Sequence, residues 1–277
     1  MIDSNIHLIK VKDQGYNSPD YIHNEISKKY NEIDSDTFKK KLADIDKKLQ
    51  NNNIEKALLY CFDDKWYLHK WFPVTFPKSI IPGMLLDVDL DLDTIKKKLK
   101  ILKEHGFYFL KLLPYEQKIF RNKYAKIIEI AKIVEKEGMI LTICAAYGSR
   151  YVYKTNGVEI AAEVLNHGIK SPIIISHGGM PKVFDVMSLM LEYENLHMDI
   201  SFTLPYWQGS RIIDDYAFTL KKMDYKRVLY GSDYPYVDFK ESYKVFLEFV
   251  NNYLISEDKK NDILKNNFNK LLRQIDY

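Results

Sequence analysis

Residues 121–146 read RNKYAKIIEIAKIVEKEGMILTICAA, and they contain the unit on which the whole chain is built. Apolar side chains recur at helical spacing in the first part, which predicts an amphipathic helix over 121–137. Gly138 follows at the position where a helix commonly ends on glycine. The last eight residues form a continuous apolar run, which is typical of a strand covered by helices. The stretch therefore predicts a helix followed by a buried strand.

The same alternation extends in both directions along the chain. Eight apolar runs predict strands: MIDSNIHLI (1–9), KALLYCF (56–62), IIPGMLLDV (80–88), FYFLKLL (107–113), MILTICAA (139–146), PIIISHG (172–178), LHMDIS (196–201) and RVLYGSD (227–233). Helical patterns cover 36–50, 93–105, 121–137, 157–167, 182–194, 210–223 and 239–254. No low-complexity linker interrupts them. We therefore predict an α/β fold, a (β/α)8 TIM barrel, as one domain spanning 1–277.

Composition narrows the classes of partner. Lys and Arg number 41 against 38 Asp and Glu, which gives a net charge of only +3, and the lysines are spread over helical stretches. We expect no nucleic-acid partner, because no concentrated basic stripe is present. No apolar stretch approaches the roughly 18 residues that span a bilayer, and no signal peptide is visible. With Cys61 and Cys144 as the two cysteines, these features predict a cytoplasmic protein without a membrane partner.

Polar residues lie at the carboxyl ends of several predicted strands. These residues are Asn5, His7, Lys111, Cys144, His177 and Asp233. In a TIM barrel the carboxyl ends of all strands meet at one rim, where active sites are found. We therefore predict that these side chains form a single site although they are distant in sequence.

Three connections are longer than usual: 10–35, 63–79 and 203–211. Long loops after barrel strands build lids and specificity pockets. The segment 63–79 is rich in aromatic rings. It is interpreted either as a loop packed on itself or as an aromatic wall over the pocket, suited to a ring or acyl substrate.

Several motifs carry a resemblance to a known family. MIDSNIH, LKLLPYEQ, LTICAAYGS, IIISHGG and LYGSDYPY resemble, in the same order, the amidohydrolase-related family of metal-dependent TIM barrels, and ISEDKKNDILKNNFNKLL resembles its closing helix. The family includes hydrolases of C–N and C–O bonds. This branch also includes decarboxylases such as aminocarboxymuconate-semialdehyde decarboxylase.

The resemblance implies a metal site made from this chain's own residues. The histidine pair of the first strand becomes Asn5 and His7, the fifth-strand ligand becomes Cys144, and the eighth-strand carboxylate is Asp233. A zinc ion held by His7, Cys144, Asp233 and Asn5 is therefore expected. Zinc accepts nitrogen, thiolate and carboxylate donors. The alternative for Cys144 is a small buried apolar residue.

The resemblance also implies catalytic roles. Asp233 would accept or position the proton of the attacking water, and His177 would orient the scissile group or act as general acid. Lys111 would meet a carboxylate or an oxyanion; its alternative is a salt bridge with Asp233 or Glu116.

Four further residues are predicted to contact the substrate. Arg150 would hold an anionic group, with a surface charge as the alternative. Tyr147, Trp207 and Tyr234 are predicted to line the pocket.

Three functions follow from this set. The first is a metal-dependent hydrolase of a small amide, ester or lactone that uses a metal-activated water. The second is a nonoxidative decarboxylase of an aromatic or dienoic acid at the same site. The third is a divergent member without metal, which binds only or whose chemistry depends on His177, Asp233 and Lys111. The partner is a small molecule, and the resemblance is compatible with a homodimer.

Overall fold

The computed structural model describes residues 1–8, 34–63, 67–146 and 154–275. Within them, all eight predicted strands are present and buried. They are β1 (Ile2–His7), β2 (Lys56–Cys61), β3 (Ile80–Leu85), β4 (Phe109–Leu112), β5 (Ile140–Cys144), β6 (Ile173–Ser176), β7 (Leu196–Asp199) and β8 (Val228–Leu229). Each strand pairs in parallel with the next one along the chain. The TIM-barrel prediction is therefore confirmed.

Backbone hydrogen bonds join the two ends of the sheet. Ser4 donates its N–H to the Tyr230 carbonyl at 2.9 Å, and His7 donates to the Tyr234 carbonyl at 2.7 Å. These bonds bring β1 against β8 and the residues that follow it. A barrel closed in this way leaves no exposed sheet edge. The residues at the carboxyl ends of β1 and β8 become neighbours as a result.

Helices surround the barrel at the predicted places. They are α1 (Ser35–Asn51), α2 (Leu92–Glu104), α3 (Tyr124–Lys136), α4 (Gly157–Asn166), α5 (Val183–Glu192), α6 (Thr203–Trp207), α7 (Ile212–Lys222), α8 (Phe239–Asn252), α9 (Glu257–Asn261) and α10 (Asn267–Leu272), with a π-helical turn at Asp262–Asn266 between the last two. Short 3₁₀ turns occupy Tyr67–Trp71 and Arg121–Lys123, and His177–Lys182 is a kinked segment in which Gly178, Gly179 and Met180 have positive φ angles. The extent of the domain, 1–277, stays a prediction.

Local chemistry explains why the helices begin where they do. Asp34 accepts a hydrogen bond from the Thr37 backbone N–H at 2.7 Å, and Asp91 accepts one from Thr94 at 2.8 Å. Such caps satisfy backbone donors that have no partner inside a helix. The helices then bury one face against the strands, as α1 does with Phe38, Leu42, Ile45 and Leu49.

Two of the long connections differ from simple loops. The segment 203–211, expected to be a loop, contains helix α6. In the segment 63–79, Phe72 stacks on His105 with ring centroids 4.3 Å apart, and Phe76 packs edge-on against Phe107 at 5.5 Å. His105 and Phe107 precede β4, so these two rings lie toward the amino end of that strand. Both rings therefore pack against residues outside the segment, at the end of the barrel opposite the rim, and neither forms a wall over the rim.

None of the helices in the described ranges is both long and apolar enough to span a bilayer.

Candidate active site

The residues predicted to share a site do lie at the carboxyl ends of the strands. His7 ends β1 and Cys144 ends β5, while His177 directly follows β6. His177 and Asp233 have φ angles of 59° and 66°, in the left-handed region that residues other than glycine rarely adopt. Such backbone strain is concentrated at functional sites. The two residues are therefore held in place by their surroundings rather than by local preference.

A bulge in β1 directs Asn5 into the site. Asp3 pairs with Ala57 but Ile6 pairs with Leu59, so β1 carries one extra residue between these pairs. A bulge bends its strand and changes the direction of the side chains there, and bulges are frequent beside active sites. Asn5 is fully buried at this point.

Asn5 connects Lys111 to Asp233. The Lys111 Nζ atom donates to Asn5 Oδ1 at 2.8 Å, and Asn5 Nδ2 donates to Asp233 Oδ1 at 3.3 Å and to Ser201 Oγ at 2.7 Å. The amide has one orientation only, because a flip would set its NH₂ against the lysine and its oxygen against the carboxylate. His7 Nε2 lies 3.0 Å from the same Asp233 oxygen.

Lys111 is a cation enclosed in the barrel. Only 1% of its surface is exposed. Its Nζ lies 4.6 Å from the centroid of the Tyr60 ring and 5.7 Å from that of Phe62. Aromatic faces stabilise a buried ammonium, and an isolated buried charge is otherwise costly. Salt bridges with Asp233 or Glu116 were the predicted alternatives. The hydrogen bond that Lys111 makes here goes to Asn5.

Sequence reasoning missed two residues of β7 and its end. Ser201 Oγ donates to Asp199 Oδ2 at 2.9 Å, and the Ser201 carbonyl lies 3.0 Å from His177 Nδ1. A Cβ atom on Gly231 would come within 3.0 Å of Asp199 Oδ1, so the absence of a side chain there makes room for this pair. The rule that selected residues at strand ends applies equally to MDIS at 198–201 and could have found both residues.

The tautomer of His177 follows from its partner. A backbone carbonyl only accepts hydrogen bonds, so His177 Nδ1 carries the proton and Nε2 carries the lone pair. Burial lowers the pKa of His177 to about 4, although the negative charge of Asp233 opposes the shift. A neutral imidazole at pH 7 suits the role of orienting a water or substrate group.

Burial changes the acidity of the neighbouring groups as well. It raises the pKa of Asp233, while His177 and Lys111 act in the opposite direction. It also raises the pKa of Asp199 to about 6 and that of Cys144 to about 12. Desolvation disfavours the charged form of each group. The thiol of Cys144 is therefore neutral at ordinary pH.

The predicted substrate contacts have different outcomes. Tyr147 and Arg150 lie outside the described residues. Trp207 ends helix α6 and packs edge-on against Tyr206 at 4.9 Å. Tyr234 is turned toward the helices: its hydroxyl accepts a hydrogen bond from Lys48 Nζ at 2.9 Å.

Rings that were not predicted lie around His7. The centroid of its imidazole is 4.3 Å from that of Phe62, 5.8 Å from that of Tyr236 in an edge-on arrangement, and 6.3 Å from that of Tyr60.

The chain matches one protein family over nearly its whole length. The sequence profile of the amidohydrolase family matches residues 2–274. The chain belongs to the amidohydrolase family. No curated protein matches it at a significant level.

Solved structures of this amidohydrolase fold are similar over nearly the full length. The uncharacterized TIM-barrel protein Bb4693 from Bordetella bronchiseptica is 16% identical, with a TM-score of 0.68 over 99% of this chain and 98% of that one. A protein from Acinetobacter baumannii described as a probable 2-pyrone-4,6-dicarboxylic acid hydrolase is 13% identical, with a TM-score of 0.65 over 98% of each chain. A 2,6-dihydroxybenzoate decarboxylase is 12% identical, with a TM-score of 0.64 over 98% of this chain and 99% of that one. At these identities the likeness is one of fold.

Membership of the amidohydrolase family implies a metal site, and the donors at the rim decide whether this chain could form one. His7 Nε2 and Asp233 Oδ1 are 3.0 Å apart, a spacing that two ligands of one ion could have. A catalytic zinc usually needs three protein ligands, however. Asn5 turns its NH₂ group toward Asp233 and its oxygen to Lys111, so neither end of its amide is left to bind an ion. Across the described part of the chain, no cluster of three or more His, Cys, Asp or Glu side chains could hold a metal. This donor arrangement does not fit zinc.

Proposed function

We propose that this amidohydrolase is a hydrolase that cleaves a small ester, lactone or amide with water. The observation that carries the proposal is the position of Asp233. Its Oδ1 atom is fixed by His7 at 3.0 Å and Asn5 at 3.3 Å at the barrel rim. Two fixed partners on one oxygen orient the carboxylate, and a general base must be held in reach of the proton that it abstracts.

The proposed reaction uses the protons that these residues can hold. Water attacks the carbonyl carbon while Asp233 Oδ2 takes one of its protons. The lone pair on His177 Nε2 accepts the second O–H of the water as a hydrogen bond and directs its oxygen. The C–O or C–N bond then breaks, and Asp233 returns the proton to the leaving oxygen or nitrogen. Of the two roles predicted for His177, orientation fits its tautomer better than general acid.

The metal-activated water predicted from the family resemblance is not a step in this scheme, because the donors around Asn5 do not fit zinc. The predicted ligand set of His7, Cys144, Asp233 and Asn5 stays a prediction. The cytoplasmic location and the homodimer stay predictions too.

Decarboxylation is the second candidate, and one observation favours it. Burial raises the pKa of Asp233 and so favours its protonated form. A protonated carboxyl could deliver its proton to the carbon from which carbon dioxide leaves. The same residue would thus act as a proton donor instead of a proton acceptor.

A substrate screen separates the two reactions. The protein is assayed for acid release from panels of lactones, esters and amides, and for carbon dioxide release from aromatic and dienoic acids. Asp233→Asn should abolish whichever activity appears, with a loss of about 10²- to 10⁴-fold. Asp185→Asn is the matched control, because Asp185 is exposed on helix α5. Carbon dioxide release without ester, lactone or amide cleavage would replace the first proposal with the second.

A further inference from the structure

We propose that Lys111 supplies the positive charge that metal-dependent amidohydrolases take from a divalent cation, so that this chain works without a metal. The ammonium belongs to a side chain of β4, and the amide of Asn5 links it by hydrogen bonds to Asp233. The part of this proposal that concerns catalysis rests on the proposed function. The part that concerns metal binding does not.

The first support is the hydrogen-bond polarity around Asn5. At a metal site, the residue at this position would aim a lone pair at the ion. Asn5 instead aims two N–H donors at Asp233 Oδ1 and Ser201 Oγ, and its oxygen accepts from Lys111 Nζ at 2.8 Å. Every polar atom of the Asn5 side chain therefore has a partner from the protein. No lone pair of this residue is directed toward the carboxylate where an ion would be shared.

The second support is the position of the lysine charge. Lys111 Nζ donates to Asn5 Oδ1 at 2.8 Å, and Asn5 Nδ2 lies 3.3 Å from Asp233 Oδ1, so the ammonium is only one side chain away from the carboxylate. A divalent ion placed beside that carboxylate would lie close to an ammonium in a region with little water, where repulsion between like charges is poorly screened. The lysine therefore supplies positive charge to the site and at the same time disfavours a second cation.

The third support is the enclosure of Lys111. The Tyr60 and Phe62 rings cover its ammonium at 4.6 and 5.7 Å. The Asp233 carboxylate lies on the other side of the Asn5 amide, 3.3 Å from its Nδ2 atom. A buried ammonium that has a hydrogen-bond acceptor, two aromatic faces and a nearby carboxylate is stabilised in its position.

Lys111 acts through other residues, so it is a positioning residue. Its hydrogen bond fixes the amide of Asn5, and the amide fixes Asp233 Oδ1. Loss of the cation should leave substrate binding nearly intact and impair the orientation of the base. The expected signature is a lower kcat with little change in KM.

The first experiment measures metal binding directly and needs no substrate. The wild-type protein is treated with chelator, incubated with zinc chloride, desalted, and analysed for zinc by mass spectrometry. We expect far less than one zinc per chain. A content close to one zinc per chain, retained after desalting, would overturn the proposal. This result stands even if the substrate screen finds no activity.

The second experiment uses the substrate that the screen identifies. We expect activity to be unaffected by chelator or added zinc. Lys111→Met should lower kcat about 100-fold, because a misplacement of about 1 Å in a reacting group costs a factor of that order. Lys111→Arg, which keeps the charge, should recover part of the loss. The control is Lys100→Met, because Lys100 is exposed on helix α2. Loss of activity in chelator, or full activity of Lys111→Met, would refute the proposal.

Discussion

His7 Nε2 lies 3.0 Å from Asp233 Oδ1, although 226 positions separate the two residues. The contact joins the end of β1 to the segment after β8. Backbone bonds run beside it, since Asp233 donates its N–H to the Asn5 carbonyl at 2.9 Å. The same region therefore joins the barrel and positions the proposed base.

Replacing His7 tests the value of this contact to catalysis. His7→Gln should lower kcat about 10- to 100-fold, because a hydrogen bond to a charged group is worth about 1.5–3 kcal/mol. Steady-state kinetics on the identified substrate provide the measurement. His167→Gln is the control, since His167 is exposed and its ring Nδ1 atom lies 2.8 Å from the Glu163 carbonyl, away from the rim. Equal rates for His7→Gln and the wild type would show that Asp233 needs no such support.

The bond between Lys111 and Asn5 predicts a coupled effect on stability. Asn5→Leu leaves the buried ammonium without its acceptor and should lower the free energy of unfolding by about 3–5 kcal/mol. Lys111→Met on that background removes the charge and should recover part of the loss. Urea unfolding of the wild type, both single variants and the double variant gives the coupling energy, expected to be at least about 1 kcal/mol. Strictly additive effects would contradict the pairing.

The pKa of Asp199 predicts how stability depends on pH. Burial raises this pKa from 3.8 to about 6, so the folded protein holds the proton more tightly than the unfolded chain does. The stabilising contribution is complete below pH of about 4 and is lost as pH rises toward 6.

The variant Asp199→Asn removes this titration. The melting temperature of the variant minus that of the wild type should rise by several degrees between pH 4 and pH 6.5 and then level off. Calorimetry at matched ionic strength provides the curve. The exposed-site variant Asp185→Asn should show a flat difference. If the melting temperature of Asp199→Asn minus that of the wild type fell as pH rises, the surroundings would be lowering the pKa of Asp199 instead of raising it.

Tyr216 is expected to hold the backbone after β6. Its hydroxyl lies 2.8 Å from the Met180 carbonyl and 3.0 Å from that of Gly178, whose φ is 55°. Tyr216→Phe should cost about 1 kcal/mol of stability, the net value of a typical hydrogen bond. It should also speed hydrogen exchange in residues 177–180.

Urea unfolding and hydrogen-exchange mass spectrometry give the two readouts for this variant. Tyr206→Phe is the matched control, because Tyr206 is exposed. Unchanged hydrogen exchange in residues 177–180 would show that Tyr216 does not hold this part of the backbone in place.

Most of the secondary structure could be predicted from the sequence. The helix predicted over 157–167 is observed at Gly157–Asn166, and the one predicted over 36–50 is observed at Ser35–Asn51. These elements follow from local periodicity and capping. Helix α6 was missed because a five-residue helix is too short to show a repeat.

The partners of the site residues were less accessible to sequence reasoning. Lys111 was weighed between a carboxylate or oxyanion partner and a salt bridge with Asp233 or Glu116, and its hydrogen bond to Asn5 was not foreseen. Tyr234 was predicted to line the pocket, and the bond of its hydroxyl to Lys48 was not foreseen either. Ser201 and Asp199 were not selected at all. Neighbouring strands can present several polar groups within reach, and the donor and acceptor geometry chooses among them.

The sequence by itself determined the alternation of strands and helices and the carboxyl-terminal rim that carries the polar residues. It could do so because hydrophobic periodicity acts over a few residues, and parallel strands bring all their carboxyl ends to one side. Only the tertiary structure decided which way the Asn5 amide points. That choice depends on an ammonium from β4 and a carboxylate beyond β8, which lie 106 and 228 positions away and meet only when the barrel is folded.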